Sequence, residues 1–398
     1  MEFAWPDEAV AFRAELNAFL NKAMPEHFFT GKVEVPGEEL TMAPPGPRWP
    51  LVGGDVQHHF AREFAPRMAE AGFLTPHWPA EYGGGEASPW VQLALKEEMW
   101  RRGEPRGPQY MSVDWIGPTI MAYGSVEQKA SYLPRMAAGH IVWCQGFSEP
   151  DSGTDLASLR TRAIPNDDGF TVTGQKIWTS YADEADYCFL AVRTNPDHGL
   201  RHKGLSVLLV DMTSPGIEVR SIPGIVGDHA FCEVFFDDVA VPASGLLGAV
   251  DDGWRVMMYG LSHERVEPRY ARSLLYLTEL AALVRRRGQP FDADLERRFG
   301  EVVEVCEAAR MLAYHVVAER VEGKPPSPLG NMARLLSAES ERAVATLAVQ
   351  LTGLDSLIDG SIADAAVRTA MSTPVAAGTE EVQLNLIAQR GLGLPRSA

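Results

Sequence analysis

Four cysteines in 398 residues leave little scope for covalent or metal-based scaffolding. Cys144, Cys188, Cys232 and Cys306 are widely scattered and form no CxxC spacing. The pattern predicts buried thiols in a reducing compartment rather than disulfides or a metal site. Positive charge is scarce as well. The 36 Lys and Arg face 53 Asp and Glu, a formal net charge of -17, which repels nucleic acid and anionic lipid. A phosphate-bearing ligand then needs a local basic pocket. No apolar run approaches the roughly 18 residues of a membrane span, and the acidic N-terminus has no basic-then-apolar signal pattern. The expectation is a cytoplasmic protein with no nucleic-acid or membrane partner. GxGxxG, Walker A, HExxH and GxSxG are all missing, so an NAD-binding Rossmann domain and the common hydrolase sites have no support. No His/Cys/Asp cluster has metal-ligand spacing.

What remains is a soluble globular composition, 45% hydrophobic and 22% charged, in a chain long enough for two or three packed domains. Residues 5–24 place Ala9, Phe12, Leu16, Phe19 and Leu20 at helical spacing. Trp90 to Arg102 reads as an amphipathic helix and Glu127 to Ala138 as another. Between them and the first helix, a Pro- and Gly-rich passage from about Phe28 to Asp55 is too long for an ordinary connection, and reads as mobile or as a functional cover. After Trp143 the period changes. Short β-rich runs such as Tyr187 to Arg193 and Leu205 to Asp211 are punctuated by Asp168-Gly169, Ser214-Pro215-Gly216 and Pro223-Gly224. Helices return from Gly253. The pattern predicts an α+β chain: an N-terminal helical domain over 1–142, a middle antiparallel β-barrel or sandwich over 143–250, and a C-terminal helical bundle over 251–398.

Two stretches stand out. Trp143 to Leu159 reads WCQGFSEPDSGTDLASL, and Gly174 to Ser180 reads GQKIWTS. Two strand ends bearing hydroxyls beside an indole can hold a flat, hydrogen-bonding heterocycle, with polar groups on its edge and the indole over a face. Each fragment alone also reads as an ordinary surface turn. Together they resemble the flavin-binding middle segment of acyl-CoA dehydrogenases, whose usual forms are close to T-E-P-x-A-G-S-D and W-I-T-N. The resemblance extends in order through Gly72 to Gly84, Tyr123 to Pro134, Phe235 to Pro242, Gly253 to Arg265 and Gly378 to Pro395. It is weakest around 28–56 and 285–300.

The resemblance implies the family's three-domain fold, ending in a four-helix bundle, and an FAD cofactor. Phe147 and Ser148 would meet the flavin's pyrimidine edge, Trp178 would pack on the ring, and Thr179 would reach the N5 side. A neighbouring subunit's helices would hold the rest through a segment like Gln350 and Gly353, with Thr379 and Glu381 as the final contact. The family's R-x-x-F-G pattern has no clean counterpart, because Arg297, Arg298, Phe299 and Gly300 sit in a different register. The run Arg201-His202-Lys203 meets CoA phosphates or forms a solvated turn, and the turn is the preferred reading.

Removing a proton next to a thioester carbonyl requires a base and a donor to the carbonyl oxygen. Glu264 shares a helical face with Leu261 and Met257, where a carboxylate is desolvated and becomes a stronger base. The competing reading is a surface glutamate paired with Arg265 or His263. Pro268 should kink this helix. The resemblance favours the base, since Glu264-Arg265 looks like the position from which some members supply it. Most members carry their glutamate two residues before the threonine of the C-terminal Gly-Thr pair; that position is Ala377 here, whose backbone N–H can still polarise the thioester. Glu380 and Glu381 open a helix and are outside candidates. Arg265 would lie near the CoA side of the pocket or pair with Glu264.

The expected protein is therefore an FAD-dependent acyl-CoA dehydrogenase that inserts a 2,3-double bond into an acyl-CoA thioester and passes electrons to an electron-transferring flavoprotein. WPAEYGG, CQGFSEP and GLGLP most resemble bacterial members, which implies a bulky or sterol-derived acyl chain. Assembly would be a homodimer, a homotetramer, or a heterotetramer with a paralogous subunit. The rival readings are a non-catalytic FAD-holding or structural subunit of such a heteromer, and an oxidase on the same scaffold.

Overall fold

Short β-rich runs between residues 143 and 247 build one eight-stranded sheet. In this computed structural model, residues 4–24, 55–264, 267–288 and 290–395 are described, with the backbone alone for 55–59, 227–229 and 264. The Pro- and Gly-rich passage lies, up to residue 54, outside the described residues. The strands are β1 (Trp143–Gly146), β2 (Arg162–Asn166), β3 (Gly169–Thr179), β4 (Tyr187–Arg193), β5 (Leu205–Asp211), β6 (Ile217–Gly224), β7 (Gly227–Pro242) and β8 (Leu246–Leu247). Their order is β6-β7-β3-β2-β4-β5-β8, with β1 also on β4. Phe170, Val172, Leu190, Leu208, Val234 and Val241 are buried in its core, and all four cysteines are buried free thiols.

The sheet is not wholly antiparallel as the strand pattern predicts. β1 runs parallel to β4, pairing Trp143 to Gly146 with Tyr187 to Leu190. β2 then meets the same strand in parallel at Arg162 and Arg193. The physical reason is that both pieces lie end to end along β4, so the chain from 147 to 161 leaves the sheet and rejoins it in the same direction. This excursion carries the motif that stands out in the sequence.

In chain order the helices are α1 (Asp7–Ala23), α2 (Asp55–Glu70), α3 (Pro89–Arg101), α4 (Gly117–Tyr123), α5 (Val126–Ala137) and α6 (Gly253–Glu264). They continue with α7 (Tyr270–Arg286), α8 (Ala293–Val321), α9 (Leu329–Thr352), α10 (Ile362–Ser372) and α11 (Glu380–Leu386). Local chemistry sets several ends. Ser88 caps α3 through Val91 N–H, with Pro89 at the first helical position. Ser125 and Gln128 form a reciprocal capping box on α5. No helix among the described residues is long and apolar enough to cross a membrane.

The described residues form two compact units. One comprises Gly53–Ala87 and Pro105–Glu264, the other Met1–Val52, Ser88–Glu104 and Arg265–Ala398. The first contains the sheet with α2 and α4 to α6. In the second, α7, α8, α9 and α10 bury a common core that includes Leu280, Phe299, Val344 and Ala366, the four-helix bundle that the resemblance implies.

Helix α3 departs from its amphipathic reading. Lys96, Glu97 and Glu98, which the charge pattern places on a wet face, are buried. They are tolerated because they are paired. Lys96 Nζ donates to Glu267 Oε1 at 2.8 Å, Tyr270 Oη donates to Glu97 Oε1 at 2.7 Å, and Arg13 Nη1 donates to Glu98 Oε1 at 3.2 Å. At Pro268 the chain is outside any helix, where a kink within one helix was expected. Helix α6 ends at Glu264, Glu267 and Pro268 are non-helical, and α7 starts at Tyr270. Proline both lacks a donor and pushes the preceding residue out of the helical region, so a break satisfies the backbone better than a bend.

Candidate active site

Strand β3 would, by simple alternation, turn Trp178 inward with Val172, Gly174 and Lys176, and turn Thr179 outward. The pairing prevents this. Lys176 opposes Val234 and Thr179 opposes Cys232, three residues against two, so one extra residue is accommodated in β3 as a bulge. Trp178 takes it up in the left-handed region, with φ 59°, an uncommon conformation for a bulky residue. The faces exchange. Trp178 is 56% exposed, whereas Thr179 is 1% exposed. The indole meets Phe231 edge-on at 6.0 Å. The Thr179 hydroxyl is buried and has no hydrogen-bond partner among the described residues, and Ser180 beside it is half-buried.

The excursion from β1 packs beside this bulge. Ile177 N–H donates to Ser148 C=O at 2.9 Å, so Phe147 and Ser148 are brought to Trp178 and Thr179. Phe147 is buried and its ring lies 5.7 Å from that of Phe189. Glu149 and Ser152 exchange backbone hydrogen bonds of 3.1 and 3.0 Å, closing a tight turn. Ser152 is buried with an unpartnered hydroxyl and helps line a cleft of about 330 Å³ with Ser158, Arg160 and Gln175.

Two buried cations that the sequence reading passed over hold the excursion in place. Arg193 donates through Nε to Leu159 C=O at 3.0 Å and through Nη2 to Ala157 C=O at 2.8 Å. Lys176 Nζ donates to Phe147 C=O at 3.0 Å and to Glu149 Oε1 at 2.8 Å. Burial raises the Glu149 pKa, but Lys176 and the donors on Thr161 and Arg160 outweigh it, and the carboxyl sits below its ordinary value. Burial lowers the Lys176 pKa against the opposing pull of Glu149. Alternation held the signal for Lys176, which shares the inward face of β3 with Val172 and Gly174. Arg201, in the run read as a solvated turn, is exposed and pairs with Asp155 at 2.5 Å.

Helix α6 starts against β5. A Cβ on Gly253 would lie 2.5 Å from Ser206 Cα, so only glycine allows this approach. Val256 and Met257 are buried, Tyr123 and Tyr259 meet edge-on at 5.4 Å, and Glu264 is the helix's last residue. The Glu264 side chain and the whole of Arg265 lie outside the described residues.

The other predicted contacts belong to the second unit. Gln350 is exposed near the end of α9 and accepts from Arg298. Gly353 follows with φ 57°. Thr379 caps α11 through Val382 N–H, while Glu381's own N–H and the Thr379 hydroxyl depress the Glu381 carboxyl pKa. Glu380 pairs with Arg342, which weakens its claim as a base. Ala377 is left-handed, with φ 55°. Gln383 Nε2 secures that turn by donating to Ala377 C=O at 2.9 Å and to Gly378 C=O at 3.3 Å.

An exposed indole next to a buried, unpartnered hydroxyl suits a flat ligand with a polar edge, so Trp178 and Thr179, two of the residues expected to hold FAD, fit such a group. Fold and site together define an α–β–α protein whose middle sheet carries such a site. The family descriptions "Acyl-CoA dehydrogenase, N-terminal domain", "middle domain" and "C-terminal domain" match residues 53–140, 144–239 and 251–392. The chain is 35% identical to Acyl-CoA dehydrogenase IpdE1 of Mycobacterium tuberculosis over 87% of its own length and 92% of that protein. It is 37% identical to Acyl-CoA dehydrogenase FadE34 of the same organism over 83% of its length, but spans only 46% of that longer relative. A solved structure described as "Tcur3481-Tcur3483 steroid ACAD" superposes with a TM-score of 0.87 at 29% identity over 100% of both chains. The chain belongs to the acyl-CoA dehydrogenase family of flavin-dependent oxidoreductases.

Proposed function

We propose that this chain binds FAD and inserts a 2,3-double bond into an acyl-CoA thioester with a bulky, steroid-derived acyl group. The observation that carries the flavin assignment is the β3 bulge, which exposes Trp178 and leaves the Thr179 hydroxyl buried without a partner. Phe147, Ser148, Trp178 and Thr179 would bind the flavin in one subunit, with Gln350, Gly353, Thr379 and Glu381 completing its site. The steroid description of the superposing structure supports the substrate class.

Glu264 takes the thioester's α-proton. Ala377 supplies no carboxylate; its N–H donates to the thioester oxygen and stabilises the charge that develops there. Arg265 serves the CoA side. Bound FAD supplies the two-electron oxidation that no side chain can perform. The electron acceptor is an electron-transferring flavoprotein, the compartment is the cytoplasm, and the helical bundle provides subunit contacts. The domain limits follow the sequence reading: 1–142, 143–250 and 251–398.

A second reading, a flavin-holding or structural subunit of a heteromer, is favoured by alanine at the usual glutamate position. The purified chain discriminates the two. A yellow protein that reduces an artificial acceptor with a steroid side-chain CoA thioester, and loses about 10²–10⁴-fold in kcat as Glu264→Gln, supports the enzyme. A colourless chain that is active only beside a co-expressed partner supports the subunit. Hydrogen peroxide release as fast as turnover would assign an oxidase.

A further inference from the structure

The excursion between β1 and β2 is tied to β3 by a buried ion pair that packing alone does not require. Lys176 is wholly buried and Glu149 nearly so. The neighbours of Lys176 on the inward face are Val172 and Gly174, and its cross-strand partner is Val234. An aliphatic side chain would suit that surrounding, because burying two charges costs several kcal/mol of desolvation that their attraction offsets only with full hydrogen bonding. Here the bonding is full. Glu149 accepts from Arg160 N–H at 2.6 Å, from Thr161 N–H at 2.8 Å and from Lys176 Nζ at 2.8 Å. Lys176 has a second acceptor, the carbonyl of Phe147, at 3.0 Å.

That last bond fixes more than stability. The peptide joining Phe147 to Ser148 is trans, so a carbonyl drawn toward Lys176 aims the Ser148 N–H the opposite way. The next carbonyl, that of Ser148, is held by Ile177 N–H. Two successive peptides are thus locked against β3, and a donor is directed away from it, where an acceptor edge of a heterocycle can meet it.

We infer that Lys176, anchored by Glu149, is a positioning residue that orients the Phe147–Ser148 backbone for the flavin's polar edge. This rests on the flavin reading of the same site. Lys176 touches neither substrate nor flavin; it acts through the Phe147 carbonyl, and Glu149 acts through Lys176.

The test separates this role from a merely structural one. Full-length wild type, Lys176→Met, Glu149→Gln and the double variant are reconstituted with FAD, and FAD dissociation constants, visible spectra and thermal midpoints are recorded. The double variant buries no charge, so it should melt close to wild type yet bind FAD at least tenfold more weakly, with an altered flavin spectrum. Glu149→Gln keeps the Lys176 bond to Phe147 and should lose less affinity than Lys176→Met. A double variant that binds FAD within twofold of wild type overturns the inference, because the pair would then serve stability alone. So does a Glu149→Gln loss larger than that of Lys176→Met, a comparison available even if the double variant fails to fold. A wild type that takes up no FAD overturns the flavin reading, and this inference with it.

Discussion

Replacing Glu267 with alanine removes a carboxylate that two buried groups of α3 share. Lys96 Nζ lies 2.8 Å from one oxygen and Trp100 Nε1 2.5 Å from the other, while Lys96 is 4% and Trp100 0% exposed. Breaking a buried ion pair from one side costs about 3–5 kcal/mol, because the remaining charge keeps its desolvation penalty and loses its compensation. At about 2 °C per kcal/mol for a large domain, the thermal midpoint of Glu267→Ala should fall by about 6–10 °C. Adding Lys96→Met should recover part of that loss, since the buried Arg320 guanidinium still draws on the carboxylate. Differential scanning calorimetry of wild type, both single variants and the double variant measures the coupling directly. A Glu267→Ala midpoint within 2 °C of wild type, or a double variant no better than the single, would refute the assignment of Glu267 as the partner that makes a charged α3 affordable.

Three further outcomes follow from the site and its surroundings. Trp178→Gly relieves a left-handed conformation that costs about 1–3 kcal/mol but gives up the Phe231 contact, so denaturant stability should change by less than about 1 kcal/mol while FAD binding weakens. A large stability loss would mean the indole is a core residue. The depressed Glu149 pKa makes its contribution fully present above the ordinary carboxylate pKa of about 4.3. That contribution is lost as pH falls through the folded value. Glu149→Gln should therefore melt below wild type at pH 7, with the gap narrowing below about pH 4; a gap that widens on acidification would be inconsistent with the sign. Burial pushes the thiols of Cys232 and Cys306 up to about 11 and about 12, and Cys144 and Cys188 are also enclosed. A thiol reagent at pH 8 should find no fast-reacting group in the native chain and four after unfolding; one rapid native thiol contradicts this.

Much of the architecture was legible because each element keeps its own period. Helix α5 announces itself through Ser125 and Gln128, and strands β4 and β5 through unbroken apolar runs. What escaped were features decided by distant partners. Nothing within residues 89–101 reveals that Glu267 and Tyr270 wait to pair with Lys96 and Glu97, so a buried helix reads as amphipathic. The parallel join of β1 and β2 to β4 depends on where the chain re-enters, which a local pattern does not encode. At the site, Phe147, Ser148, Trp178 and Thr179 were found through a motif and do come together. Lys176 and Arg193 were missed because a charged residue in a strand reads as outward-facing unless its alternation is followed. Glu264 was read as lying within a helix that kinks at Pro268, whereas the helix ends at Glu264 itself.

The extra residue in β3 works as a parity switch. Everything before it keeps one assignment of inside and outside, and everything after keeps the other, so the strand can seal its hydrophobic side and still display an aromatic plate next to a hidden hydroxyl. The vulnerable quantity is therefore the register of Lys176 to Thr179 against β7, more than the identity of those residues. Slipping the register by one so that the bulge closes at unchanged length would rotate the plate into the interior and turn the hydroxyl toward water without altering any side chain.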